Sequence, residues 1–441
     1  MSKYSKEDIL RMVDEEDVGF IRLQFTDVFG TVKNIAVTAG QLEQALNNEC
    51  SFDGSGIDGF VRIEEDDMYL YPDLDSFEIF PWRPQTGKVA RLICDIHKCD
   101  GTPFEGDSRY ILKRVIREAA KMGIYPYIAP ECEFCLFPYD TDGEVMLQTQ
   151  GHGSYFDVAP LDTGENVRRD IILALEDMGI DVRSSYHEHS PYQHEIDLQP
   201  VNALAAADNI VTFRMTCKTI ASRHGLHATF MPKPMNDSDG CGMHLKMTLM
   251  DLEGNNILSD PADSYGLSEL GYHFMAGIMA HVRGLTAVTN PLVNSYKRLV
   301  PGFDAPTELT WTRNNQNSLV RIPRVNGADT RIELRSPDAA SNPYLVFAVC
   351  LAAGLDGIKK KIYPTKASDR SLSESDQKEQ GIENLPENLR EAITLFEDSS
   401  WMKEILGETF CEQYAQAKRK EWLRYSQEIS NWEIEEYLYR I

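Results

Sequence analysis

The chain is 441 residues long, 26% charged and 42% apolar, with a formal net charge of −25 at pH 7. One hydrophobic core rarely grows past about 250 to 300 residues, so two domains of ordinary globular composition are expected. The acidic balance argues against nucleic acid and anionic membrane surfaces as partners, and no stretch approaches the roughly 20 apolar residues that span a bilayer.

The first residues, Met1-Ser2-Lys3-Tyr4-Ser5-Lys6-Glu7-Asp8, are polar and no signal-type apolar run follows, so a cytoplasmic location is expected. Residues 6–14 have helical amphipathicity, 18–27 alternate as a strand, 27–31 turn, and 32–37 return as the second arm of a hairpin. Residues 41–48 are helical. The loop Phe52-Asp53-Gly54-Ser55-Gly56-Ile57-Asp58-Gly59-Phe60 is either a flexible turn or an ordered loop carrying Asp53 into a neighbouring site. Residues 62–72 are acidic and aromatic, while 77–82 and 89–95 are expected strands. Asp100-Gly101-Thr102-Pro103 is a strong turn signal and the expected boundary, giving a small mixed α+β domain over 1–103 and a larger one over 104–441.

From Asp107, which caps a helix reaching Met122, helices and strands alternate. The next strand holds Glu131-Cys132-Glu133, two carboxylates on one face, which repel unless a cation or a proton sits between them. Cys132-x-x-Cys135 has no second pair at zinc spacing and sits within a strand, so two small buried residues are expected there; nine scattered cysteines suit a reducing compartment. After the loop Gly151-His152-Gly153-Ser154-Tyr155-Phe156 come a helix to Met178, a strand, a loop with Glu188, and the strand Glu195-Ile196-Asp197. A helix over 205–224 and a turn over 236–242 lead to His244, Lys246 and Thr248, again at a period of two. Helices over 267–285 and 342–361 are apolar enough to be central, the latter closed by Lys359-Lys360-Lys361 at the negative end of its dipole. Between them Thr330-Arg331-Ile332-Glu333-Leu334-Arg335 alternates like a half-buried strand, so that Arg331, Glu333 and Arg335 share a face, either as a salt ladder or as part of a site. Residues 369–380 are expected to form an exposed loop, and the tail from 388 is helical and charged.

Glutamates and one histidine on strands suit hard divalent cations, Mg²⁺ or Mn²⁺, better than zinc, and two such ions would clamp a phosphoryl transfer. Arg298, Arg321 and Arg335 point the same way, because guanidinium groups bind carboxylate and phosphate bidentately. A two-carboxylate glycosidase would not need so many cations. No Walker loop, dinucleotide fingerprint or nucleophile elbow is present.

Over essentially its full length the chain resembles the bacterial type I glutamine synthetases. The resemblance is carried by Phe52-Asp53-Gly54-Ser55, Glu131-x-Glu133-Phe134, Tyr155-Phe156, His187-Glu188, Gln193-x-Glu195, Met231-Pro232-Lys233-Pro234, Gly240-Cys241-Gly242-Met243-His244, Asn290-Pro291 to Pro301-Gly302, Arg321-Ile322-Pro323, and Arg331-x-Glu333-x-Arg335 before Asn342-Pro343-Tyr344. It implies an α+β protein with an amino-terminal β-grasp domain and a catalytic domain built on a curved antiparallel sheet. It also implies two hexameric rings stacked as a homododecamer, and ATP-dependent ligation of ammonia to glutamate. By the same resemblance, Glu133, Glu188 and Glu195 would hold one metal ion and Glu131, His244 and Glu333 another. Asp53, from a neighbouring subunit, with Tyr155 and Glu188 would form the ammonium pocket. Arg298 and Arg335, with Gly240 and Asp239 of the preceding turn, would bind glutamate; Arg321 would meet phosphate; Arg331, Lys246 and Thr248 would lie toward ATP.

Several positions depart from the family pattern. Asp304 stands on the flap where glutamate is usual, Gln316 where a phosphate-contacting arginine is expected, Asp239 for an asparagine, Gly56 for a serine, and Lys246 for a nucleotide-side histidine. Arg313 could replace the missing arginine only if its loop is rebuilt. These departures leave open a ligase for another small amine, or a non-catalytic paralogue, beside the glutamate–ammonia ligase. The 365–385 loop lacks a tyrosine, so the adenylylation control of some relatives is not expected.

Overall fold

In the computed structural model, which describes residues 3–57, 67–83, 85–147, 152–315, 317–325, 327–368 and 381–441, the chain builds two sheets over two hydrophobic cores. The first contains α1 (Lys6–Glu15), β1 (Val18–Thr26), β2 (Val32–Thr38), α2 (Leu42–Leu46), β3 (Cys50–Phe52), β4 (Met68–Ile79) and β5 (Lys88–His97). Its order is β2-β1-β5-β4-β3, with β1 and β5 parallel and the other pairs antiparallel. A capping box between Ser5 and Asp8 starts α1, whose Ile9 and Val13 join Ile21, Leu23, Leu70 and Leu92 in this core. The strand expected at 77–82 begins instead at Met68 and ends at Ile79. Pro72 and the acidic residues disguise it, and the register shifts between Asp73 and Glu78.

The second part runs through α3 (Ser108–Lys121), β6 (Tyr125–Pro138), α4 (Glu165–Asp177), β7 (Val182–His187), β8 (Gln193–Leu198), β9 (Val201–Asn202), α5 (Ala203–Arg223) and β10 (Leu226–Thr229). It continues with β11 (Met243–Met250), α6 (Glu269–Thr289), α7 (Ser295–Arg298), β12 (Trp311–Thr312), β13 (Val320–Arg321), β14 (Ile332–Leu334) and α8 (Pro343–Lys360). Four helices, Leu389–Asp398, Ser400–Leu406, Glu408–Ser426 and Asn431–Tyr437, complete the chain. The sheet is ordered β12-β13-β14-β11-β6-β8-β7, with β9 and β10 also on β6. Pro130, a residue normally excluded from sheet interiors, falls where the partner of β6 changes from β9 to β8.

This sheet was expected to be antiparallel; β12 and β13 pair in parallel, so it is mixed. Regular pairing of the strand expected over 330–335 is confined to Ile332–Leu334, with Arg331 and Arg335 flanking it. The expected loop at 369–380 lies outside the described residues.

Helices α6 and α8 cross closely because both present glycine: a Cβ on Gly277 would lie 2.2 Å from the Ala353 carbonyl oxygen, and one on Gly357 2.1 Å from that of His273. Two features tie the cores together. Asn342, which caps α8, donates its side-chain amide to the carbonyls of Asp27 and Val28, each at 3.2 Å, in the β1–β2 turn. The buried Arg109 of α3 pairs with Asp95 of β5 at 2.8 Å, Asp73 of β4 at 2.7 Å and Asp208 of α5 at 2.8 Å, joining both sheets through one guanidinium.

Candidate active site

The period of two along the strands and the register between them bring the charged residues onto one face of the second sheet. His244 lies opposite Glu131, Glu195 opposite Glu133, and Asp197 opposite Glu131, while Lys246 and Arg321 both lie opposite Glu333. Five strands, β13, β14, β11, β6 and β8, therefore contribute to one polar surface. Its acids are nonetheless buried: Glu131, Glu133, Glu195, Asp197 and Glu333 are all under 9% exposed.

Burial of this many carboxylates penalises their charge. Burial, then the carboxylates around them, push Glu195 well above its ordinary range and Glu188, on the loop after β7, up to about 8. Glu133 is also raised by burial, against the pull of Arg298, and accepts hydrogen bonds from Gln193 Nε2 at 2.7 Å and Gly242 N at 2.9 Å. Burial, with Arg335 and Arg298 nearby, holds His244 in its neutral form. Its Nδ1 is 3.4 Å from Glu131, and its Nε2 is buried with no hydrogen-bond partner.

A neutral imidazole with an unpartnered nitrogen, among buried carboxylates that outnumber the cations paired with them, is a donor set that fits a hard divalent cation. Ligand atoms of Glu131, His244 and Glu333 lie within 4.8 Å of one another, as do those of Glu131, Glu195 and Asp197. Asp197 was not among the metal candidates, although it shares the period of Glu195; Ser184 of β7 donates to it at 2.6 Å. Tyr186 of β7 was also missed: it lies opposite Glu195 and donates its hydroxyl to it, a contact only the pairing of β7 with β8 reveals. A third acid–histidine group, Asp162, His187 and His194, is already engaged. Arg168 reaches Asp162 at 2.7 Å and His194 at 2.9 Å, and His187 faces the carbonyls of Glu188 and Pro191.

Beside the acids lies a cationic half. Arg298 is 1% exposed, and its guanidinium is held by the carbonyls of Ser336 at 2.9 Å and Arg335 at 3.2 Å. Among the described residues no carboxylate pairs with it within 4.0 Å, which leaves a fixed positive charge facing the site. Gly240 and Gly242 pack on this arginine: a Cβ on Gly242 would lie 2.5 Å from its Nη2, and one on Gly240 2.9 Å from its Cγ. Arg335 bonds Glu333 at 2.8 Å and Asp304 at 3.1 Å, and Arg321 approaches Glu333 at 3.5 Å, so part of the salt-ladder reading of this strand holds too.

Asp304 is held twice, by Arg335 through its carboxylate and by Asp239, whose Oδ1 accepts from Asp304 N at 3.0 Å. The two departures from the family pattern thus touch. Tyr155 is stacked between Phe156, centroids 3.8 Å apart, and His189 at 4.1 Å, and His189 reaches Glu188 at 3.2 Å.

Lys246 pairs with Glu131, and Thr248 continues that face two residues along β11. Arg331 donates to the Asp329 carbonyl at 3.4 Å, and its Nε is buried without a partner among the described residues. Arg313 donates to the carbonyls of Ser264 and Tyr265 and packs over the Tyr265 ring, which engages it away from the acids. Gln316 lies outside the described residues. Asp53 is exposed and accepts from Ser55 N at 2.9 Å and Ser55 Oγ at 2.6 Å, and among the described residues it makes no hydrogen bond to the acidic face of its own chain.

Comparison with known proteins agrees with this geometry. Residues 17–99 match the family model described as the glutamine synthetase beta-grasp domain, and residues 105–437 that of the glutamine synthetase catalytic domain. Similar curated proteins include the glutamine synthetase of Clostridium saccharobutylicum, 54% identical over 99% of both chains. The glutamine synthetase of Staphylococcus aureus is 49% identical over 99% of this chain and 98% of its own. Among solved structures, a GmaS/ADP complex in conformation 1 superimposes with a TM-score of 0.89 at 33% identity, covering 98% of this chain and 99% of that one. An apo GmaS without ligand gives 0.88 at 32%, with the same coverage.

Proposed function

The chain belongs to the glutamine synthetase family, and we propose that it ligates ammonia to the γ-carboxylate of L-glutamate at the expense of ATP, through a γ-glutamyl phosphate. The observation that carries this reading is the pairing of two half-sites, one on the second sheet and one around Arg298 of α7 beside it. Buried carboxylates surround the unpartnered His244 Nε2, and beside them Arg298 presents a guanidinium with no anionic partner within 4.0 Å among the described residues. The first suits divalent cations that neutralise a polyphosphate; the second suits an amino-acid carboxylate.

In this reading Glu131, His244 and Glu333 hold one cation and Glu133, Glu188 and Glu195 a second, with Asp197 close enough to join Glu195. Bound Mg²⁺ or Mn²⁺ would supply charge to offset that of the transferring phosphoryl group. Arg298 and Arg335 orient glutamate, Gly240 and Asp239 shaping the turn beside them; Arg321 meets the phosphoryl group, Gln316 stands in sequence where the family pattern has a phosphate-contacting arginine, and Arg331, Lys246 and Thr248 serve the nucleotide. Glu188 and Tyr155 receive ammonium, and a carboxylate takes its proton before the amine displaces phosphate. The neighbouring subunit's copy of Asp53 completes that pocket, which suits its exposure in the single chain.

We take residues 1–103 as the β-grasp domain and 104–441 as the catalytic domain; in support, the first core draws on buried residues only up to Phe104. We take the protein to assemble as a homododecamer in the cytoplasm, the arrangement that the family resemblance implies. No helix among the described residues is long and apolar enough to cross a membrane.

A second reading, ligation of another small amine, is favoured by Asp304. Its side chain is one methylene short of the usual glutamate and is held by Arg335, and its N–H by Asp239, which leaves a shorter carboxylate on the flap. Metal-dependent phosphate release with ATP and glutamate separates the readings, run against ammonia and a panel of amines on the wild type and on Asp304→Glu with Gln316→Arg. Wild-type turnover with ammonia near that of the double variant supports the first. Preference for a larger amine overturns it, and ATP binding without turnover on any amine leaves only a non-catalytic paralogue.

A further inference from the structure

Lys246 brings a cation tethered to β11 into the metal-binding face. It lies on β11 between His244 and Thr248, and its ammonium pairs with Oε1 of Glu131 while the other oxygen of that carboxylate faces His244 Nδ1 at 3.4 Å. Across β14 the residue opposite Lys246 is Glu333. Lys246 is thus inserted between two members of the group Glu131, His244 and Glu333, whose ligand atoms lie within 4.8 Å of one another. Its side chain is 10% exposed, so its charge is poorly screened by solvent.

Two cations cannot hold the same carboxylate oxygen at full strength. A lysine ammonium is a compact point charge with three donors on a flexible four-carbon stem, so it can leave one acceptor for another without moving the strand. The acceptor-poor side of this residue is cationic: Arg321 lies opposite the shared neighbour Glu333, and Arg331 and Arg335 flank that glutamate on β14. Such a rim suits a polyphosphate.

We propose that Lys246 is a tethered cation that holds Glu131 while the Glu131–His244–Glu333 site lacks a divalent ion, and that it transfers to the nucleotide phosphates when that ion binds. Metal and nucleotide therefore bind cooperatively at this site. Each removes a competitor or supplies a partner for the other, and the coupling is reciprocal. The inference rests on the ligase reading, which assigns this site to a divalent ion and ATP.

The test is binding rather than turnover. The full-length, metal-stripped protein is titrated with Mn²⁺ by electron paramagnetic resonance, with and without ADP, and with ADP by calorimetry, for the wild type, Lys246→Gln, Lys246→Met and Lys246→Arg. Removing the charge is expected to tighten Mn²⁺ binding without nucleotide by about tenfold or more, the scale of partners that touch metal ligands. It is also expected to weaken ADP by a similar factor and to reduce the ADP-induced gain in Mn²⁺ affinity, while Lys246→Arg, which keeps the charge but not the compact head, falls between the wild type and the neutral variants. Gln and Met keep most of the stem, and either one that melts as the wild type does is sufficient for the comparison. Wild-type Mn²⁺ and ADP affinities in the neutral variants overturn the inference and leave the ligase reading standing. A wild type that binds no Mn²⁺ overturns both.

Discussion

Gly240→Ala probes how tightly the substrate half-site is built. The new Cβ would lie 2.2 Å from the Pro232 carbonyl oxygen and 2.9 Å from Cγ of Arg298. An ordinary contact begins near 3.4 Å, so the backbone at 240 and the Pro232 carbonyl must part by about 1.2 Å. Neither side yields easily. Cys241 N donates to the same Pro232 carbonyl at 2.8 Å, Gln193 donates to the Gly240 carbonyl at 3.0 Å, and Gly242 N donates to Glu133 at 2.9 Å. Any relaxation therefore moves Arg298 and Glu133 together, one from each half-site. Displacement of about 1 Å can cost about a hundredfold in rate, and overpacking costs typically about 1 to 3 kcal/mol of stability. The expected result is a kcat/KM for glutamate about a hundredfold lower, with a smaller loss for ATP and a folded protein, measured by phosphate release and thermal melting. Wild-type kcat/KM for glutamate in a well-folded Gly240→Ala protein would refute the assignment of this turn to substrate.

Two further predictions concern charge. Burial and then Glu133 hold Glu188 at about 8 against an ordinary 4.5, so the metal-free folded state keeps a proton that the unfolded chain has lost. Its stability accordingly falls as pH rises from about 4.5 through about 8. A divalent ion favours the carboxylate, so metal binding at pH 7 should release roughly one proton from this group and less at pH 9; calorimetry in buffers of different protonation enthalpy measures this, and equal release at both values would count against it. Arg109→Met leaves Asp73 and Asp95 with Lys113 and Asp208 with the Tyr344 hydroxyl as their remaining partners, and should lower stability by about 3 kcal/mol, the low end of the cost of breaking a buried ion pair. An unchanged melting temperature would show that these carboxylates find other partners.

Much of this protein is determined locally. Alternation at a period of two puts Glu131 with Glu133, Glu195 with Asp197, and His244 with Lys246 on common faces, because a pleated strand allows nothing else. Capping residues mark helix starts well: Ser5, Asp107 and Asn342 each accept the backbone N–H groups expected of them. Where prolines and acids interrupt the pattern, as in β4, a long strand passes for a loop.

What the sequence cannot state is which strand lies beside which. Register between β6, β8, β11 and β14 decides that His244 meets Glu131 rather than Glu133 alone, that Tyr186 reaches Glu195, and that Lys246 enters the acid group. Long-range packing decides that Arg298 is fixed by backbone carbonyls and, among the described residues, has no acid within 4.0 Å, while Arg335 is already paired. It also decides that two altered residues 65 positions apart, Asp239 and Asp304, form one contact. Local chemistry sets the direction in which each side chain points; only the closing of the sheet sets what it meets, and the buried, mutually repelling charges that result are what call for a cation and a phosphate.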